Sequence, residues 1–207
     1  MSDLGQTVDP LNAPSSTLVE ADDVIYNPSL DRLREFSREL ETTTEFGSPA
    51  YVSDFRSRSA DRTKNAVDDD FDADDRAYVE AAFEYARTNE MVCVDRQMGR
   101  HPDHSYRCRL FVPHRYARIA LAWAKLFEPV SGDGEPDFLT IQLPEWDERA
   151  IRVLPEEGVT AVLGSDYTGE AKKSFLRLFM LRAKQAGGLG LHAGSKRVHL
   201  ERDGDLE

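Results

Sequence analysis

The feature that most constrains this chain is an apolar strand that runs into a tight turn and straight on into a helix. Ala161 to Leu163 supplies the strand, and GSDYTGEAKKSF (Gly164 to Phe175) supplies the turn. Ser174 to Ala186 continues as a strong helix with Phe175, Leu178, Phe179 and Arg182 on one side. Gly187-Gly188 closes it, as glycine does where a helix must end in a left-handed residue. A strand and a helix joined this closely must pack against a common core, so the segment calls for a sheet with helices laid on it. LGLHAG, just beyond, predicts one more buried strand.

The rest of the chain fits that demand. NPSLDRLREFSREL (Asn27 to Leu40) predicts a helix, with Asn27 or Ser29 as cap, Pro28 in the first turn, and Leu30, Leu33, Phe36, Ser37 and Leu40 on one face. Phe46 to Lys64 reads as irregular or strand-like. Asp68 to Asp75 holds six aspartates in eight residues and leads into a helix whose expected inner face is Tyr78, Ala81, Ala82 and Tyr85. MVCVD and the alternating YRCRLFVP predict strands, Arg115 to Phe127 a helix with Trp123 on its apolar side, and DFLTIQLP another strand. The expectation is an α/β (mixed α+β) fold, a mixed sheet flanked by helices. Residues 1–22 are expected as a flexible acidic arm, 23–199 as the domain and 200–207 as a tail.

Charge narrows the partners. The chain carries 38 acidic and 26 basic residues, a net charge of −12. Such a surface repels nucleic acid, because phosphate binding needs clustered cations. No apolar stretch approaches the roughly 20 residues of a membrane span, and MSDLGQTVDP has neither the basic start nor the apolar segment of a secretory signal. These readings predict a cytoplasmic protein. The acidity further predicts a salt-loving host, because like-charge repulsion is screened within a few Å at high salt. Cys93 and Cys108 are expected as buried, reduced thiols.

Twenty of the basic residues are Arg and six are Lys, and four of those lysines fall between Lys172 and Lys196. Lysine is a compact, movable ammonium that can lose its proton, which arginine cannot. Lys172 and Lys173 are therefore candidates for chemistry, against the plainer reading of a solvated helix start. The acidic run Asp68 to Asp75 lacks the glycine and spacing of a calcium loop and is expected as a solvated face.

YTGEAKKSF resembles the Y-A-G-E-M-K-K-S/G-x-F signature of ATP-dependent phosphoenolpyruvate carboxykinases. His192 lies nineteen positions after Lys173, where that family has a strand ending in H-C-S-A-N. MVCVDRQMGRHPDHSYRCRLFVPHRYARIALAWAKLFEP resembles its V-D-x-x-x-G-x-x-P, V-R-x-x-T and W-x-x-x-F segment. VIYNPSLDRL resembles its N-P-s-x-x-x-L helix, and FRSRSADRT stands where the family has T-G-R-S-P-K-D-K. The resemblance runs from about Val24 to Val198.

It implies a reversible carboxy-lyase: oxaloacetate loses CO2, and the enolate takes the γ-phosphoryl of ATP to give phosphoenolpyruvate and ADP. It further implies Mn²⁺ beside the substrate, held by Lys173 as the neutral amine and by His192, with Mg-ATP as the nucleotide. Tyr167 would face the substrate and departing CO2, Lys172 would add positive charge, and Arg58 would grip a substrate carboxylate. SRSADRT lacks the glycine and proline that flank that arginine in the family, and HAGSKR replaces H-C-S-A-N-V. The chain contains no G-x-x-x-x-G-K-[ST] phosphate loop. Two expectations follow: an N-terminal half of a split carboxykinase completed by a second chain that carries the loop, or a non-catalytic dicarboxylate-binding or regulatory relative.

Overall fold

A computed structural model describes residues 16–20, 23–54, 60–132 and 134–194. Its centre is a mixed sheet of strands β1 (Val24–Tyr26), β4 (Thr63–Asn65), β5 (Met91–His101), β6 (His104–Pro113), β8 (Phe138–Leu143), β9 (Ala150–Leu154) and β10 (Val159–Leu163), in the order β1-β5-β6-β8-β10-β9-β4. Short β7 (Glu128–Pro129) adds to β5, and β2 (Glu41–Thr43) pairs with β3 (Pro49–Tyr51) as a separate hairpin. β5 and β6 form a long antiparallel hairpin, while β8 lies parallel to both β6 and β10. The expected mixed sheet flanked by helices is the observed fold.

Helices cover both faces. On one lie α2 (Leu30–Phe36), α4 (Ala117–Ala124) and α5 (Thr168–Gln185), whose Leu33, Trp123, Phe175 and Leu178 pack with Val94, Leu110 and Phe138 of the sheet. On the other lie α1 (Ser16–Val19) and α3 (Ala73–Thr88), which bury Leu18, Val79 and Phe83 against Met91, Phe111 and Ile141. Strands covered on both sides read as continuous apolar runs, which is why all six residues of β8 and all five of β10 are buried. Each fully buried large side chain contributes about 1.5–3 kcal/mol.

Several local expectations change. Leu18, in the stretch read as a loose arm, is fully buried. α2 is capped by Ser29 and ends at Phe36, followed by a 3-10 turn over Arg38–Leu40. The buried face of α3 is Asp75, Val79, Ala82, Phe83 and Ala86, one position on from the expected face. Tyr78 and Tyr85 sit at its rim, where their rings pack on the core edge and their hydroxyls reach Glu148 and Glu145. The aspartate run is not simply a solvated face. Asp72 closes a capping box with Asp75, and buried Asp75 pairs with Lys64 at 2.7 Å and Arg152 at 2.5 Å. Burial raises the Asp75 carboxyl, but Lys64, the Asp72 amide and Arg152 outweigh it and hold the group below its ordinary value.

The expected last strand at LGLHAG is absent from the described residues. Leu189 and Leu191 are 79% and 63% exposed, and no described strand pairs with them. α5 ends instead in a left-handed Gly187, with the Gly188 amide donating to the Ala183 carbonyl at 2.8 Å. Both cysteines are buried free thiols, as expected, and burial pushes both thiols well above their ordinary range.

Candidate active site

The site candidates gather where β10 ends and α5 begins. Gly164 makes the turn with φ +64; a Cβ there would lie 2.8 Å from the Glu148 carbonyl and 2.9 Å from that of Trp146. Gly169 has a different task. A Cβ on it would stand 2.3 Å from the Tyr167 ring, so the missing side chain is what lets that ring lie over the first turn of α5.

Groups from three segments clamp the turn. Gln142 of β8 donates from Nε2 to the carbonyls of Ser165 (2.8 Å) and Tyr167 (3.1 Å). Arg118 of α4 donates to Asp166 at 2.5 Å, both side chains being about 95% buried. The Asp54 amide donates to the same Asp166 carboxylate at 2.9 Å, and Ser53 donates to the Asp166 carbonyl at 3.4 Å. One buried carboxylate thus joins α4, the β10–α5 turn and the chain that follows β3.

The cations stand on α5 itself. Helical spacing buries Ala171, Ser174, Phe175 and Leu178, which leaves Lys172 and Lys173 on the flank beside Tyr167. Lys173 ion-pairs with Glu170, a fully buried carboxylate, and its Nζ lies 5.4 Å from the Tyr167 ring centroid. Arg177, one turn further along, is 3.5 Å from the other Glu170 oxygen. The Lys172 Nζ lies 3.4 Å from Nε2 of His192, with both side chains at the surface. An exposed aromatic ring, two ammonium groups, an imidazole and a buried carboxylate therefore share one corner, and together they suit the binding of an anion with several oxygens.

The family model for phosphoenolpyruvate carboxykinase matches residues 22–206. The phosphoenolpyruvate carboxykinase (ATP) of Aeropyrum pernix is 34% identical over 202 residues, 96% of this chain. The chain belongs to the ATP-dependent phosphoenolpyruvate carboxykinase family. It spans 40% of the length of the Aeropyrum carboxykinase.

Of the residues expected in a carboxykinase site, Tyr167, Lys172 and Lys173 stand at the start of α5, and His192 meets Lys172, whereas the resemblance sets it with Lys173. The contacts pair Lys172 with His192, and Lys173 with Glu170 and Tyr167. Arg58 lies outside the described residues. Glu170, Asp166, Arg118 and Gln142 received no role from the sequence. Glu170 could have been suspected, since an acid three positions before a lysine on a helix meets it. Arg118 and Gln142 come from distant elements and carried no signal. Among the described residues no group of three or more His, Cys, Asp or Glu is placed to hold a metal ion. Lys173 and His192 offer nitrogen donors, so a cation there would draw further ligands from elsewhere. No described helix is long and apolar enough to cross a membrane.

Proposed function

We propose that this chain is the N-terminal part of an ATP-dependent phosphoenolpyruvate carboxykinase, with residues 23–199 as its domain, completed by a second chain that carries the phosphate loop. The observation that carries this reading is the corner formed by Tyr167, Lys172, Lys173 and His192 at the start of α5, inside the family match. Oxaloacetate would lie against Tyr167, with Lys172 offsetting its negative charge and Arg58 holding a carboxylate. Loss of CO2 leaves an enolate that accepts the γ-phosphoryl of ATP, giving phosphoenolpyruvate and ADP. Mn²⁺, held by Lys173 and His192 with further ligands from the second chain, would supply positive charge beside the enolate oxygen when bound. Lys173 must then lose its proton and leave Glu170, which Arg177 remains positioned to hold. The protein would serve gluconeogenesis in the cytoplasm of a halophile, without nucleic-acid or membrane partners.

A specific observation favours a second reading. In the described arrangement Lys173 is the cation of an ion pair with Glu170, which suits a non-catalytic protein that holds a dicarboxylate. One assay separates the two. The purified chain is mixed with a phosphate-loop chain from the same genome, in high KCl with Mn²⁺ and ATP, and oxaloacetate-dependent phosphoenolpyruvate is measured. The isolated chain is expected to show negligible turnover and the mixture clear turnover, lost with Lys173→Ala or His192→Ala. Activity that survives both substitutions overturns the site; oxaloacetate binding without turnover in the mixture supports the second reading.

A further inference from the structure

Asp166 stands directly before Tyr167, and its side chain is only 5% exposed at the base of the turn. Its partners reach it from two distant segments. Arg118 of α4, 4% exposed, donates to Oδ2 at 2.5 Å, and the Asp54 amide donates to the same oxygen at 2.9 Å. Ser53 adds a donation to the Asp166 carbonyl at 3.4 Å, while Gln142 holds the carbonyls of the residues on either side. The backbone at 166 is thus fixed from several directions. Tyr167, the next residue, keeps 37% of its surface in solvent, with its ring over Gly169 and its centroid 5.4 Å from Lys173 Nζ. Among the described residues its hydroxyl has no hydrogen bond, so the backbone sets where the ring lies.

Stability alone does not call for this pair. Withdrawing two charges from water offsets most of their attraction, and an apolar pair of similar volume often packs at least as well. What an apolar pair lacks is direction. The carboxylate accepts from Arg118 and from the Asp54 amide at once, which fixes both the place and the rotation of the backbone before Tyr167. We propose that Asp166, through Arg118 and the Asp54 amide, is a positioning residue that sets the Tyr167 ring against Lys173 and the substrate. Its consequence for the substrate rests on the reading of Tyr167 in the proposed function.

The test changes both partners together, because losing one leaves the other charge buried and unpaired. The full chain is labelled with 3-fluorotyrosine, and the Tyr167 fluorine resonance is assigned by its loss in Tyr167→Phe. Arg118→Leu with Asp166→Ala removes the tie and is expected to keep the thermal midpoint. It should displace the Tyr167 resonance, leave those of Tyr26 and Tyr78 in place, and weaken calorimetric binding of oxaloacetate about tenfold. Arg118→Gln with Asp166→Asn keeps an oxygen acceptor for the Asp54 amide, and is expected to restore resonance and affinity. An apolar pair with wild-type resonance and affinity overturns the proposal. So does an apolar pair that fails to fold beside a folded amide pair, since Asp166 is then an anchor of the fold alone. A Tyr167 resonance displaced by the apolar pair, in a chain whose unsubstituted form does not bind oxaloacetate, sustains the positioning role and overturns the substrate reading of the site.

Discussion

Two buried carboxylates on opposite faces of the sheet show why a buried charge does not by itself mark a functional site. Asp95, near the middle of β5, is fully buried and is held chiefly by Arg109, whose side chain is itself 4% exposed. Arg109 donates to it twice, at 2.7 and 2.8 Å, Arg107 at 3.2 Å, and the Tyr26 hydroxyl at 2.8 Å. Burial, then Asp95, raise the Tyr26 phenol, while that carboxylate overrides the burial of Arg109 and raises its guanidinium. Glu170, in the first turn of α5, is buried as deeply, but Lys173 and Arg177 keep 26% and 29% of their side-chain surface in solvent. The first carboxylate keeps its main cation, Arg109, inside the protein. The second hands its charge to cations that still reach solvent and can exchange partners.

The contrast can be broken by substitution. Asp95→Ala strands Arg109 in the interior and is expected to cost about 3–5 kcal/mol in urea unfolding. Glu170→Gln should cost less, about 1–3 kcal/mol, because its cations can turn to water. An equal loss at both positions would show that Glu170 is as much a structural anchor as Asp95.

A pH series sharpens the comparison with a third carboxylate. Asp75 is held below its ordinary value, so its stabilising contribution is present above the unfolded carboxyl range near about 4. It is lost as pH falls through the lower folded value. The stability gap between the wild type and Asp75→Asn should therefore stay constant from neutral to mildly acidic pH and shrink below that range. A gap that persisted at the acid end would remove the ion pairs with Lys64 and Arg152 as its cause.

The smallest structural effect belongs to the candidate site itself. Lys172→Ala and His192→Ala remove exposed side chains and should change stability by no more than about 0.5 kcal/mol, read as an unchanged thermal midpoint. A shift several times larger would make the Lys172–His192 contact part of the scaffold.

Much of the site was legible because its signal is local. Tyr167, Gly169, Glu170, Lys172 and Lys173 lie within seven consecutive residues, and helical periodicity alone puts the lysines beside the turn. Both strands of the long hairpin, β8, β10 and the helices α2 to α5 were likewise readable from alternation and spacing. The short strands β1 and β9 passed unread: β1 is three residues whose partner β5 lies far along the chain, and β9 is five residues with an arginine at its centre that blurs the apolar run. The phase of α3 was misjudged because tyrosines satisfy both an apolar face and a polar rim.

The sequence by itself determined the types of the longer elements, the strand–turn–helix corner and the family, because each is written in short-range pattern and motif register. Only the tertiary structure decided which charges meet. It gave Asp166 to Arg118, Glu170 to Lys173 and Arg177, Asp75 to Lys64 and Arg152, and His192 to Lys172. It also left the apolar Leu189–Leu191 run outside the sheet. Ion pairing depends on distances between elements far apart in the chain, and in a protein with 38 acids and 26 bases composition admits far too many pairings to choose among them.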